Sequence, residues 1–302
     1  MDRIFVVELS LGKFTFLSKI VFSFFNKRRA VNTTPSGLTA QILIHQRYAW
    51  RRSFFNGSSY PFGPCRDTSI ANGDLVGSNT GDCTCFTGSK CANFSDITAD
   101  VYCTDFSAST DYSLGERFTK YSLLLNQTYV IGYTSSAWLS LNLKGGGDWI
   151  VTGKIDLKIR PDGILNTSPV TSTLPVIYRT INVEHVHVIQ MSDADSTDTL
   201  RCRWSTNNSS ANTTNTNNYD ECGSVCSPTL PDFSLYYDNC TLTYTLNQTG
   251  YYAVALQIED FYNSTITTPM SSVPIQFLFY GITPPTGCST PPSITGVRPN
   301  LG

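Results

Sequence analysis

The residues with the clearest capacity for chemistry are the acids of Asp193-Ala-Asp-Ser-Thr-Asp198, with Asp260 further along the chain. Asp193, Asp195 and Asp198 sit two and three apart in a turn, a spacing that lets carboxylates point into one cavity. Calcium takes six to eight oxygen ligands of this kind. Asp260 closes the stretch Gly250-Tyr-Tyr-Ala-Val-Ala-Leu-Gln-Ile-Glu-Asp260 and could add a ligand, with Glu259 beside it. The set has neither the glycine nor the spacing of a helix–loop–helix calcium loop. Asx turns, in which Asp side chains accept bonds from backbone N–H groups, are the other reading of the same residues.

Both stretches of chain around these acids read as strands. Leu200, Cys202 and Trp204 alternate with Thr199, Arg201 and Arg203, and Tyr252, Val254, Leu256 and Ile258 share one face. A period of two marks a half-buried strand. The acidic turn is therefore expected at one pole of an antiparallel sandwich. His185 and His187 lie two apart on another strand, so both face one side. Zinc would need a third ligand, and the sequence offers none.

Catalytic signatures are missing from the sequence. It has no Gly-x-Ser-x-Gly elbow and no His-Glu-x-x-His, and Lys144-Gly-Gly-Gly-Asp148 lacks phosphate-loop spacing. Net charge is −2, and the basic residues form only two short clusters, Lys27-Arg28-Arg29 and Arg47 with Arg51-Arg52. Nucleic acid is excluded on that ground. Trp138 and Trp149, with Tyr129 and Tyr133, could form a platform for sugar rings, although aromatics in strands are usually buried.

Ten cysteines and eleven glycosylation sequons indicate an oxidising, extracellular setting. The cysteines are Cys65, Cys83, Cys85, Cys91, Cys103, Cys202, Cys222, Cys226, Cys240 and Cys288. Cys83 and Cys85 point to one side of an extended chain and must reach different partners. The last four before Cys288 allow three pairings, among them Cys202–Cys240 with Cys222–Cys226. The first five are odd in number, so one pairs elsewhere, with Cys288 for example, or stays reduced. The sequons start at Asn32, Asn56, Asn93, Asn126, Asn166, Asn207, Asn208, Asn212, Asn239, Asn247 and Asn263.

The elements that position these residues are strands throughout, since no segment holds a helical period. The expected fold class is all-β: two consecutive β-sandwich-like domains with disulfides, the second immunoglobulin- or cadherin-like. Residues 1–37 form an N-terminal segment that fits a poor signal or anchor sequence, or a strand pair. Residues 38–160 form a Cys-rich all-β domain, with strands at 41–52, 101–106, 116–125, 128–133, 138–143 and 149–159. Residues 161–281 form the second sandwich, entered through the turn Arg160-Pro-Asp-Gly163. Residues 205–218 are almost wholly Ser, Thr and Asn and read as a glycosylated loop. Residues 282–302 are a Pro-rich linker towards further domains.

Several short motifs together resemble a known module. They include Cys103-Thr-Asp-Phe-Ser107, Gly115-Glu-Arg117, Ala137-Trp-Leu139, Leu200-Arg-Cys-Arg-Trp204, Glu221-Cys-Gly-Ser-Val-Cys226 and Thr268-Pro-Met-Ser-Ser-Val-Pro-Ile-Gln-Phe277. The module is similar to one in large secreted or cell-surface proteins of invertebrates such as bivalves, cnidarians and rotifers. The resemblance covers roughly residues 40–300 and implies an extracellular, disulfide-bonded, non-catalytic unit. The expected function is structural adhesion or recognition within a larger protein. Partners would be neighbouring domains, matrix or cell-surface proteins, or glycans. The alternatives are a carbohydrate-binding domain using the first domain's aromatics and, more weakly, a secreted hydrolase.

Overall fold

The computed structural model describes residues 22–28, 37–55, 63–77, 81–88, 91, 94–136, 138–144, 147–195, 197–208, 217–284 and 287. Its first half contains β1 (Phe22–Arg28), β2 (Thr39–Arg51), β3 (Leu75–Val76), β4 (Asp82–Cys85), β5 (Ile97–Thr98), β6 (Val101–Ser107), β7 (Tyr112–Leu124), β8 (Thr128–Ser136) and β9 (Asp148–Asp156). Its second half contains β10 (Val170–Ser172), β11 (Val176–Thr180), β12 (Glu184–Val188), β13 (Gln190–Ser192), β14 (Thr199–Trp204), β15 (Ser234–Tyr236), β16 (Thr241–Thr245), β17 (Gly250–Phe261) and β18 (Ser271–Ile282). One six-residue helix, Asp67–Asn72, interrupts the strands. The all-β expectation holds.

The first half is two layers. β3, β6, β7, β2 and β1 pair in that order, and β9, β8, β4 and β5 make the facing layer. Between them Tyr48 packs edge-on against Trp149 at 6.2 Å, and Tyr133 packs against the same indole at 4.8 Å. The second half is a β-sandwich. The sheet β12-β16-β15 lies against β14, β17, β18 and β11, with β11 running parallel to β18. Tyr244 stacks on Phe279 at 4.2 Å across the gap.

β18 organises both halves. One edge pairs with β17 from Gly281 to Ser271. The other edge meets β9 at Ser272, β1 at Ile275 and β11 from Leu278 onward. Trp149 Nε1 donates to Gln276 Oε1 at 2.8 Å, so a first-half indole is anchored to β18. One buried apolar cluster runs through both halves.

Two local expectations need correction. β17 is not half-buried: Ala253, Ala255 and Gln257 are as buried as Val254, Leu256 and Ile258. Its second face is covered by the segment around Thr229, whose hydroxyl donates to Ala253 O, and by β9, where Gln257 Nε2 donates to Thr152 O at 3.0 Å. A strand covered on both faces loses strict alternation. Residues 138–143 are not a strand. Trp138 and Leu139 are both buried, but the segment is irregular chain and joins no ladder. Asn142 N instead donates to Tyr251 O at 2.8 Å.

Four disulfides staple the described residues: Cys65–Cys103, Cys85–Cys91, Cys202–Cys240 and Cys222–Cys226. Cys202–Cys240 joins the two layers of the second sandwich. Its partners are 38 residues apart, and so are those of Cys65–Cys103. Loop-closure entropy assigns each about 4 kcal/mol. Cys222-Gly-Ser-Val-Cys226 turns so closely over β9 that a Cβ on Gly223, at φ +55°, would stand 2.4 Å from Asp148 O. Cys83 has no disulfide partner among the described residues and is buried. Burial, and then Asp96 and Asp82, push its thiol far up, so it stays protonated. Cys288 lies outside the described residues.

Candidate functional site

The acidic turn joins β13 to β14, and its own residues cap it. Asp193 Oδ1 accepts from Asp195 N at 2.8 Å, and Asp198 N donates to Asp195 O at 3.1 Å. Carboxylate oxygens of Asp193, Asp195 and Asp198 lie within 4.8 Å of one another. The cation among them is Arg160. Its side chain is 2% exposed, because the turn after it folds tightly back, with Gly163 N donating to Arg160 O. Arg160 Nη1 lies 2.7 Å from Asp195 Oδ2. Arg160 Nη2 lies 2.8 Å from Asp198 Oδ1 and 3.1 Å from Asp162 Oδ2, and also donates to Thr197 Oγ1. In the sequence Arg160 shows only as the start of the turn Arg160-Pro-Asp-Gly163. A buried arginine carries no signal in the chain unless its partners are already known.

Asp260 stands just behind this cluster, fully buried. Its Oδ1 accepts from Ser271 N at 2.6 Å and Ser271 Oγ at 2.7 Å, and its Oδ2 accepts from Asn166 Nδ2 at 2.5 Å. Burial pushes the Asp260 carboxyl up to about 6, against the pull of these bonds. Asp193 rises further, to about 8, through burial and then Asp260, Asp195 and Asp198, with the bond from Asp195 N pulling the other way. Its Oδ2 has no hydrogen-bond partner. The residues therefore fit calcium poorly: the guanidinium and Asn166 and Ser271 already take the oxygens of three of the four acids. One unpartnered carboxylate oxygen is far from a six-oxygen shell.

A second arginine meets two glutamates. Arg203 Nη1 and Nη2 meet Glu221 Oε2 and Oε1 at 2.7 and 2.8 Å, and Nε meets Glu259 Oε1 at 3.0 Å. Glu221 is fully buried and also accepts from Thr206 N at 3.0 Å and Asn217 Nδ2 at 2.6 Å. Burial raises the Glu221 carboxyl, but the two-pronged contact with Arg203 opposes this, and Arg203 itself is held charged by both glutamates. Lys154, buried beside Glu259, donates to Pro269 O at 2.8 Å.

A third polar group borders open space. His45 Nε2 lies 2.8 Å from Glu116 Oε2, and Arg47 Nε lies 3.2 Å from Glu116 Oε1. They line a cleft of about 470 Å³ whose other wall is β10 and β13. The sequence shows His45 alone in its half and does not reveal this grouping.

The remaining site expectations fare differently. Trp138 and Trp149 are each 2% exposed and Tyr129 and Tyr133 each 1%, so the sugar platform is corrected: the rings are core. Packing demands won because these are the largest side chains available between the layers. His185 and His187 face inward. His185 Nε2 contacts Thr180 O at 2.8 Å, and His187 packs on Phe277 and Phe279. Asp220, Cys222 and Cys226 also cluster, but both sulfurs are spent in a disulfide. Asn166 is 1% exposed and bonded to Asp260, so a glycan there is incompatible with this fold. Asn207, Asn208, Asn239 and Asn247 are exposed, and Asn126 and Asn263 are half-buried. Asn32, Asn56, Asn93 and Asn212 lie outside the described residues.

Residues 29–158 match the family model described as integrin beta-like protein A-E, N-terminal. No curated protein matches the chain. Among solved structures, the two tandem V-type regions of VCBP3, a v-region-containing chitin binding protein, are similar at a TM-score of 0.31 and 8% identity over 89% of each chain. That likeness is too slight to inform fold or function.

Proposed function

We propose that the chain is a non-catalytic extracellular module for adhesion or recognition within a larger secreted or cell-surface protein. The match of residues 29–158 to the integrin beta-like family carries this reading. The disulfide frame supports an oxidising compartment. The buried charges support a structural role: Arg160 and Arg203 bind carboxylates in fixed geometry.

Two experiments test it. The chain is expressed behind a secretory leader in eukaryotic cells, and its glycans are mapped by mass spectrometry. Modification at Asn239, at Asn247 and at Asn207 or Asn208, with none at Asn166, is expected. A secreted chain without glycans at those exposed positions counts against the compartment. Beads coated with the oxidised chain are then flowed over cultured cells. Retention above that of albumin-coated beads is expected, and equal retention overturns the adhesion reading.

A further inference from the structure

The cleft beside His45 has the make-up of a ligand site, and we propose that it binds a neutral polyhydroxylated ligand, a sugar unit of a glycan. The inference rests on the recognition reading and gives it a binding chemistry.

The floor comes from β2 and β7. His45 and Arg47 are two apart on β2 and share a face, and the register sets Glu116 of β7 opposite Arg47. Glu116 therefore receives both side chains, one on each carboxylate oxygen. The opposite wall is the two-stranded sheet β10–β13, in which Ser172 pairs with Gln190 and Val170 with Ser192. Arg47 spans the cleft: its Nη1 donates to Ser172 Oγ at 2.9 Å and to Thr173 O at 3.3 Å. That brace fixes the distance between the walls.

Three properties select the ligand. The cleft's volume of about 470 Å³ falls inside the range of small-molecule sites. Its rim presents Ser172, Gln190 and Ser192, all exposed, which offer hydroxyl and amide groups in both donor and acceptor roles. Sugars need that mixed pattern, while a purely anionic ligand needs donors alone. Arg47 and Glu116 cancel in formal charge, so the site has no excess charge with which to select an ion. Val170, on the same face of β10 as Ser172, adds an apolar surface against which the C–H face of a sugar can lie.

The experiment is saturation-transfer NMR on the full oxidised chain. The probes are glucose, galactose, mannose and N-acetylglucosamine as oligosaccharides, with glucuronic acid as the anionic arm. At least one neutral probe should receive saturation and bind better than the acid. Gln190→Ala, which trims an exposed side chain and keeps the β13 backbone bonds, should weaken that binding about three- to tenfold, as the loss of one neutral hydrogen bond does. Arg47→Met, checked by its melting curve, should weaken it further by releasing the brace. Tyr236→Ser, outside the cleft, should leave it unchanged. No saturation of any neutral probe overturns the inference, and so does binding that Gln190→Ala leaves intact or a preference for the acid. If beads still adhere while sugars fail, the cleft proposal falls and the adhesion reading stands. If both fail, both fall.

Discussion

Two arginines, Arg160 and Arg203, do similar work under different terms. Arg203 meets Glu221 and Glu259 through short, directed contacts, and Lys154 is buried nearby with its ammonium on Pro269 O. Arg160 sits among a surplus of acids. It meets Asp162, Asp195 and Asp198 directly, and Asp193 and Asp260 crowd the same pole. The surplus appears as Asp193, whose carboxyl is pushed up to about 8 and whose Oδ2 has no hydrogen-bond partner. In the first network Glu221 is held by the two-pronged contact with Arg203. The second takes up a proton instead, because desolvated like charges cannot all remain ionised.

Substitutions can break this comparison from either side. The largest loss should come from Arg203→Met, which strands Glu221 in the interior. Removal of one partner of a buried pair costs about 3–5 kcal/mol, and denaturant unfolding should show it. A loss well below that would mean the network adds specificity without stability. Arg160→Met should cost less, about 1.5–3 kcal/mol at neutral pH, the scale of hydrogen bonds to a charged group. That loss should shrink in acid as Asp198, whose carboxyl burial raises, protonates. A loss that does not vary with pH would contradict the electrostatic account of the pole.

Asp193→Asn should act in the opposite direction. The folded pKa of about 8 lies above the ordinary 3.8. Stability from the bound proton is therefore complete below about pH 4 and lost as pH rises through about 8. The asparagine keeps the neutral form at all pH values and still accepts from Asp195 N. The variant should melt above wild type at pH 9, and the difference should vanish near pH 4. Equal differences at both pH values would show that Asp193 is not protonated in the fold.

His187 supplies a smaller effect of opposite sign. Burial, and then Arg179, lower it to about 4, below the ordinary 6.5. The stability it confers is present above pH 6.5 and fades as pH falls towards 4. His187→Phe, placed beside Phe277 and Phe279, should reduce the acid sensitivity of the melting temperature in that window. An unchanged acid limb would assign the sensitivity elsewhere.

What the chain revealed about itself follows the range of the forces involved. Strand alternation is local, so β2, β7, β14 and β17 were legible as strands. The cysteine spacing admitted the pairs Cys202–Cys240 and Cys222–Cys226 among its options. The acidic turn was legible as a cluster, and its Asx capping was one of the two readings. Its countercharge was not, because Arg160 reaches Asp195 and Asp198 across more than thirty positions of chain. Burial on both faces of β17 and the core positions of Trp138 and Trp149 depend on layer packing, which period-two patterns do not encode. The His45–Glu116–Arg47 group was invisible for the same reason: strand pairing between β2 and β7 brings positions 71 residues apart together.

The central claim is that the acidic pole is closed from within, by Arg160 and a proton on Asp193. Thermal unfolding of the oxidised chain in excess chelator, and again in millimolar calcium chloride, tests it most directly. The account predicts superimposable curves at neutral pH. A melting temperature that rises by several degrees in calcium, and a rise that Asp195→Asn abolishes, would contradict it.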